Sequence, residues 1–399
     1  LLAAQAAITK STARGAPILL AQSHQLAGRA HWALANAKEA LAAYTTSERM
    51  YAAAHDDAGR ASALVVRSSL HSSQGDLPAA RECLDEVLTI ALKLGNKKAE
   101  ASALIGLANL LSDGSSAADT QALASYQRAL AICLGIDDKP CVGTIANNIG
   151  SIHQAKRDLR AAKKSYEQAA DLLRGTGVGE ITVVVFANLA SVLFDLGDPL
   201  AARAAAEEAL AACRRNGTKA DTSWALYYLA RTEAAQGDLD AAKLHFEEAA
   251  RVDEQQGKKA ELAAAKAALA ELLLDQNKLT EAETMAREAL VLAKAASSTD
   301  NLGFGSEAQV TEVLVRVLLA QGGARLGEAQ QLFARAKEVT PPGFDPDWLM
   351  LQAVTAARLT AAQGKLRPAL AALKKELAST NDYLFHSLWI RLATVELGP

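Results

Sequence analysis

Histidines, cysteines and one glycine-rich run are the residues of this chain whose types could do chemistry. Zinc needs histidines and cysteines at close, fixed spacings. The seven histidines are scattered, and Cys83, Cys133, Cys141 and Cys213 form no CxxC pair. The cysteines read as buried free thiols of a reducing cytoplasm, with Cys133 and Cys141 the pair able to meet across a loop. GTGVG at 175–179 looks like a phosphate loop, but no strand precedes it, and a short glycine pattern outside that context is only a loop. No G-x4-G-K-[ST], H-E-x-x-H or G-x-S-x-G occurs. The sequence therefore offers no catalytic group, no metal set and no cofactor motif.

The elements that would carry a function are helices. Of the 399 residues, 50% are hydrophobic but only 5% aromatic, so the apolar content is mostly Ala and Leu, both strong helix formers. A formal charge of −3 leaves no nucleic-acid footprint on the chain as a whole. No apolar run approaches the roughly 18 residues that a membrane span needs. LLAAQAAI at the start is apolar, yet no basic segment precedes it.

A fixed period organises these helices. QGDLPAA (74–80), LGDPLAA (196–202), QGDLDAA (236–242) and QGKLRPA (363–369) are one phrase repeated. Taking its last alanine as a marker gives Ala40, Ala80, Ala122, Ala162, Ala202, Ala242, Ala282, Ala329 and Ala369, with steps of 40 except for one of 42 and one of 47. In each unit a first helix ends at the Gly-Asp turn and a second begins there. Asp76, Asp198 and Asp238 stand at the N-cap, and Pro199 at the first helical position. Four residues past the marker comes a bulky residue (Tyr44, Leu84, Tyr126, Tyr166, Phe246, Phe333), often with a small residue three further on, all on one helical face. A glycine fifteen past the marker (Gly95, Gly177, Gly217, Gly257) suits a left-handed helix end.

This pattern resembles the tetratricopeptide repeat (TPR), whose second helix carries A-x3-F-x2-A and whose first carries W-x2-L-G-x2-Y. The first helices here show Ile149-Gly150, Leu189-Ala190, Leu229-Ala230 and Leu269-Ala270, while the second repeat departs with Arg67-Ser68. The family's usual period is 34 residues. A period of 40 looks like the extended versions found in bacterial regulatory proteins. The resemblance implies an all-α fold, a right-handed superhelical α-solenoid of antiparallel helix pairs. It also implies a single array over 1–399: 1–18 the remnant of a truncated repeat, 19–379 nine repeats and 380–399 a capping helix holding Trp389, Leu392, Ala393 and Glu396. Extra residues fall within 113–121, 297–307 and 322–327, and 339–348 reads as a stiff inter-repeat loop with Asp345-Pro346 opening the next helix. His31, His71 and His153 then occupy equivalent positions where the family often has Tyr, which reads as packing.

In this family the first helices line the concave side. The residue after the Leu-Gly or Leu-Ala pair, the ninth of its helix, reads Arg29, Ser69, Asn109, Ser151, Ser191, Arg231, Glu271, Arg316 and Arg358 along the array. The fifth position adds Gln25, Asn147 and Tyr227, and the second Gln22, Thr144 and Trp224. A solvated groove of amides, hydroxyls and guanidinium groups suits an extended peptide. Amides pair with its backbone, Arg holds a carboxylate by two bonds, and Trp224 with Tyr227 gives apolar contact. The expected binding set is Gln25, Arg29, Asn109, Asn147, Ser151, Trp224, Tyr227, Arg231, Arg316 and Arg358. The expected function is a non-enzymatic, cytoplasmic protein-interaction scaffold with a protein or peptide partner and neither nucleic acid nor membrane. The other reading is a sensory module of a larger signalling protein (a signal-transduction ATPase, kinase or transcription regulator) with an upstream domain and a small-molecule effector near Trp224 and Tyr227.

Overall fold

The computed structural model describes residues 1–34, 36–111, 116–174, 179–216, 222–296, 305–340, 346–379 and 393. Among these residues the chain is all helix, without a strand. Contacts divide it into two compact units. The first comprises residues 1–156 and 171–173 and holds α1 (Leu2–Ala13), α2 (Pro17–Ala33), α3 (Ala37–Ala53), α4 (Asp57–Ser73), α5 (Leu77–Leu94), α6 (Lys97–Leu111), α7 (Ser116–Gly135) and α8 (Lys139–Ala155). The second comprises residues 157–170 and 174–399. It holds most of α9 (Leu159–Leu173), then α10 (Gly179–Asp195), α11 (Pro199–Asn216), α12 (Thr222–Ala235), α13 (Leu239–Gln256), α14 (Lys259–Asp275), α15 (Leu279–Ala295), α16 (Glu307–Ala320), α17 (Leu326–Val339), α18 (Pro346–Ala362) and α19 (Leu366–Ser379).

The repeated phrase does in the structure what its residues dictate. Asp76, Asp198 and Asp238 each accept a hydrogen bond from the backbone N–H three residues on, at 3.2, 3.0 and 3.3 Å. These bonds satisfy donors that the first turn would otherwise leave unpaired. The turn glycines Gly75, Gly197, Gly237 and Gly364 have φ between +77° and +84°, and Gly95 and Gly257 close helices in the left-handed region. Where the phrase lacks glycine, Arg157 and Asn277 take positive φ instead.

All nine marker alanines are 0% exposed. Their side chains are small enough for the neighbouring helix to pack directly over them, and the bulky residue four positions on fills the space beside them. Tyr44, Tyr126 and Tyr166 are among the largest fully buried side chains. Each such residue contributes on the order of 1.5–3 kcal/mol by leaving water. The approach is close enough that a Cβ on Gly28 of α2 would fall 2.5 Å from the Tyr44 ring of α3. The departure in the second repeat is accommodated. Ser68 is buried in place of the small residue, and Arg67 pairs with Glu48, which Arg60 also contacts at 3.4 Å.

One expectation is corrected. Cys133 at the end of α7 and Cys141 at the start of α8 are joined in a disulfide, with Cα atoms 5.9 Å apart, so these two are not free thiols. Cys83 and Cys213 are free and buried. The helix end and helix start face each other because Asp137 takes a positive φ and Asp138 caps α8 through the N–H of Cys141.

Several expectations fall outside the described residues: Gly177 and Gly217, the GTGV of 175–178, the insert segments 113–115 and 297–304, Asp345, and the capping helix 380–399 with Trp389, Leu392 and Glu396. Of that last segment only Ala393 is described, buried against Val354, Ala357, Ala369 and Leu373.

Candidate functional site

The ninth positions behave differently in the two units, and the cause is what the preceding helices supply. In the first unit, Arg29, Ser69, Asn109 and Ser151 are exposed. Their neighbours are short polar side chains that bond laterally and leave the surface wet. Gln25 donates from Nε2 to Ser62 Oγ at 3.0 Å, linking α2 to α4. Asn148 donates to Asn109 Oδ1 at 3.0 Å, linking α8 to α6, and the Tyr126 hydroxyl donates to the same oxygen. Asn147 is buried and donates to Asn148 Oδ1 at 3.2 Å, so an amide chain runs over this face. Asn148, which sequence reasoning passed over, is the residue that joins its two ends.

In the second unit the expectation of a solvated row does not hold. Ser191 is buried, and Arg231, Glu271, Arg316 and Arg358 are half-buried. The Arg231 guanidinium lies 4.2 Å from the centre of the Phe194 ring, with Tyr227 and Tyr228 at 6.0 and 5.8 Å. Arg316, its side chain only 9% exposed, donates to Glu271 across one repeat. Long charged side chains here meet aromatic rings and carboxylates at the next helix, so they become part of the wall.

Sequence reasoning missed one feature of this unit, a buried carboxyl, and saw another, the Trp224 and Tyr227 pair, without its third ring Tyr228. Glu312 of α16 is fully buried; its carboxylate oxygens are left unsatisfied by hydrogen-bond geometry, beside the equally unsatisfied Thr355 hydroxyl. Burial pushes its pKa up to about 7, against the opposing effects of Thr355, Arg316 and Arg358. Trp224, Tyr227 and Tyr228 form an aromatic cluster on α12. Trp224 and Tyr227 meet edge to face at 6.3 Å, Trp224 stacks on Tyr228 at 5.9 Å, and Tyr227 meets Phe246 at 5.5 Å. Burial holds the Tyr227 hydroxyl far above its ordinary range and that of Tyr228 up at about 12.

Two concavities stand out among the described residues, one in each unit. In the first, a cleft of about 400 Å³ between α5, α6 and α7 has leucine walls (Leu88, Leu104, Leu107, Leu110) and Arg81 and Arg128 at its lining. In the second, a small recess of about 10 Å³ is lined by Ser223, Trp224, Tyr227, Asp253, Glu261 and Ala264. Among the described residues no group of three or more His, Cys, Asp or Glu is placed to hold a metal ion, and no helix is long and apolar enough to cross a membrane.

Small residues at a fixed period, capped helix pairs and polar first-helix faces define a tetratricopeptide-repeat protein, and residues 144–172 match the tetratricopeptide repeat model. Residues 180–398 match the MalT-like TPR region, more than half of the chain, and the chain belongs to that family. No curated protein matches it. Among solved structures it is similar to the apo form of RapI, at 12% identity over 95% of this chain and 99% of that one, with a TM-score of 0.61. It is also similar to a Rap protein complexed with competence and sporulation factor, at 11% identity over 84% and 97%, with a TM-score of 0.54. A third likeness is to a signal transduction ATPase with numerous domains, with a tetratricopeptide repeat sensor, from Pyrococcus horikoshii. Identity there is 16% over 85% of this chain and 54% of that one, with a TM-score of 0.56. At such identities these likenesses show the fold alone.

Proposed function

We propose that this chain is a non-enzymatic interaction module that binds a protein or peptide on the face of its first helices. The observation that carries this reading is the exposed row Arg29, Ser69, Asn109 and Ser151 in the first unit, flanked by the Gln25–Ser62 and Asn109–Asn148 bonds. Amide and hydroxyl side chains can pair with the N–H and C=O groups of an extended peptide, and Arg29 offers a fork for a carboxylate. The lateral bonds hold the amides in place before a ligand arrives, which lowers the entropy cost of binding. Repeat proteins of this class serve as interaction scaffolds or sensors, and RapI and the Rap complex have the same fold.

The test is affinity capture of partners with the whole chain, followed by titration of the captured partner against Arg29→Ala and Asn109→Ala with circular dichroism as the folding control. Loss of binding with unchanged helicity supports the reading; unchanged affinity in both variants places the contact elsewhere.

A second reading is favoured by the recess beside Trp224 and Tyr227: the chain senses a small effector and reports it to other domains of a larger signalling protein. The signal transduction ATPase from Pyrococcus horikoshii carries a tetratricopeptide repeat sensor. In this reading the second unit, with Arg231, Arg316 and Arg358 built into its wall, responds to the ligand.

A further inference from the structure

We propose that the recess formed by Ser223, Trp224, Tyr227, Asp253 and Glu261 is a receptor for a primary ammonium group, such as the amino terminus or a lysine side chain of a bound peptide. The proposal rests on the interaction reading above and names the chemistry of one contact within it.

The register of the repeat creates the site. Tyr51 and Gly59 stand 11 and 19 residues past Ala40, and the Tyr51 ring lies over Gly59, where an added Cβ would come within 2.2 Å. Cys133 and Cys141 stand at the same offsets from Ala122, and there the two side chains are bonded. Asp253 and Glu261 stand at these offsets from Ala242. The same junction of helix end and helix start brings two carboxylates together here, where the repeats marked by Ala40 and Ala122 bring a ring and a glycine or two sulfurs.

Two like charges in a packed junction are unfavourable without a cation. Asp253 is 2% exposed, its Oδ1 is left unsatisfied by hydrogen-bond geometry, and its polar neighbour is the equally unsatisfied Ser223 hydroxyl. Burial raises its pKa to about 6, and Glu261 adds to that rise; Ser223 and Lys258 oppose it and do not cancel it. Beside the carboxylates, the Trp224 and Tyr227 rings stand 74° apart and form a corner of two π systems. A cation near a ring face is attracted to it, and more strongly where water is excluded. The nearby Arg231 is committed to Phe194 at 4.2 Å, within its own set of rings.

Size selects the ligand. The recess, about 10 Å³, is no larger than one water molecule needs, so it fits a primary ammonium better than a guanidinium or a trimethylated amine. Three N–H donors can then serve the Asp253 and Glu261 carboxylates and the Ser223 hydroxyl, while the methylenes behind them lie against Trp224.

The probe is n-butylammonium chloride, titrated into the whole chain at mildly alkaline pH and followed by saturation-transfer NMR, with n-butanol, sodium butyrate and tetramethylammonium chloride as comparators. The expected result is saturable binding of n-butylammonium alone. Asp253→Asn, which removes a buried charge and so does not threaten the fold, should weaken binding by about tenfold or more. Trp224→Leu should weaken it several-fold. Absence of saturable binding to the unaltered chain overturns the proposal, as does equal binding of butanol or undiminished binding by Asp253→Asn. Should the probe fail while Arg29→Ala and Asn109→Ala still abolish partner capture, the ammonium site alone is wrong. Loss of the partner effect with the probe still bound removes the first-unit surface and leaves this site standing.

Discussion

Arg316 of α16 donates to Glu271 of α14, 45 residues earlier, and thereby ties two first helices together along the face that was expected to be solvated. Arg316 is nearly buried while Glu271 stays partly exposed. Truncating the two partners should therefore have unequal consequences. Glu271→Gln leaves a buried guanidinium short of a counter-charge and should cost about 1–3 kcal/mol, measured by urea denaturation. The double variant with Arg316→Met should recover part of that loss, and additive effects of the two substitutions would show the pair to be uncoupled.

Glu312 sets a pH dependence whose sign follows from its environment. Its folded pKa of about 7 lies above the ordinary glutamate value of 4.5. A carboxyl raised in this way favours folding while protonated, and that contribution falls away as pH rises from its unfolded value through about 7. Thermal unfolding of the unaltered chain should therefore lose midpoint temperature over this interval. Glu312→Gln should flatten the profile, and an unchanged slope would contradict the assignment.

Asp253 should behave in the same direction at lower pH. Its pKa of about 6 against an ordinary aspartate value of 3.8 means that stability is lost as pH rises through that interval. The charged groups acting on it are Glu261 and Lys258. Asp253→Asn should raise the unfolding midpoint at neutral pH and leave it nearly unchanged in acid. Ligand ammonium should reverse the effect in the unaltered chain alone.

The Cys133–Cys141 disulfide closes a short loop over the junction of α7 and α8. Chain entropy gives such a loop roughly 2–3 kcal/mol of stabilisation. Reduction, or Cys133→Ser with Cys141→Ser, should lower stability by that order, and hydrogen exchange should rise first in α7 and α8. Mass analysis of the alkylated, unreduced and denatured protein should label Cys83 and Cys213 alone. Labelling of all four would show the pair to be open.

Ala242 is 0% exposed and packs with Ala230 and Phe246. Ala242→Asp places an unpaired charge in that contact and should cost at least about 3 kcal/mol. The measurement is loss of ellipticity in denaturant. A near-native midpoint would mean that the marker position tolerates charge, contrary to the packing described.

How much could be read in advance depended on the range of the forces involved. Capping by Asp76, Asp198 and Asp238 and the glycine turns act within one or two turns of helix, and the marker alanines recur at a fixed period, so spacing in the chain carries them all. The first-helix face was legible as a pattern of polar residues for the same reason. Whether those residues meet water or one another was not legible. Arg29 and Arg231 hold the same position in their helices, yet one is exposed and the other lies on Phe194, because the difference resides in the side chains that neighbouring helices bring to them. Glu312 and Asp253 escaped notice because a carboxyl on a helix reads as solvated until packing closes over it.

The amino-acid sequence by itself determined the repeat, its period and the two-helix unit, since these follow from local hydrogen bonding and from which side chains are small enough to be covered. Tertiary structure alone decided which charges are sealed in, which cysteines meet and where two carboxylates share a recess with two rings. Those outcomes depend on groups tens of residues apart arriving within a few ångströms, at distances where desolvation and Coulomb terms reverse the preference an isolated helix would have.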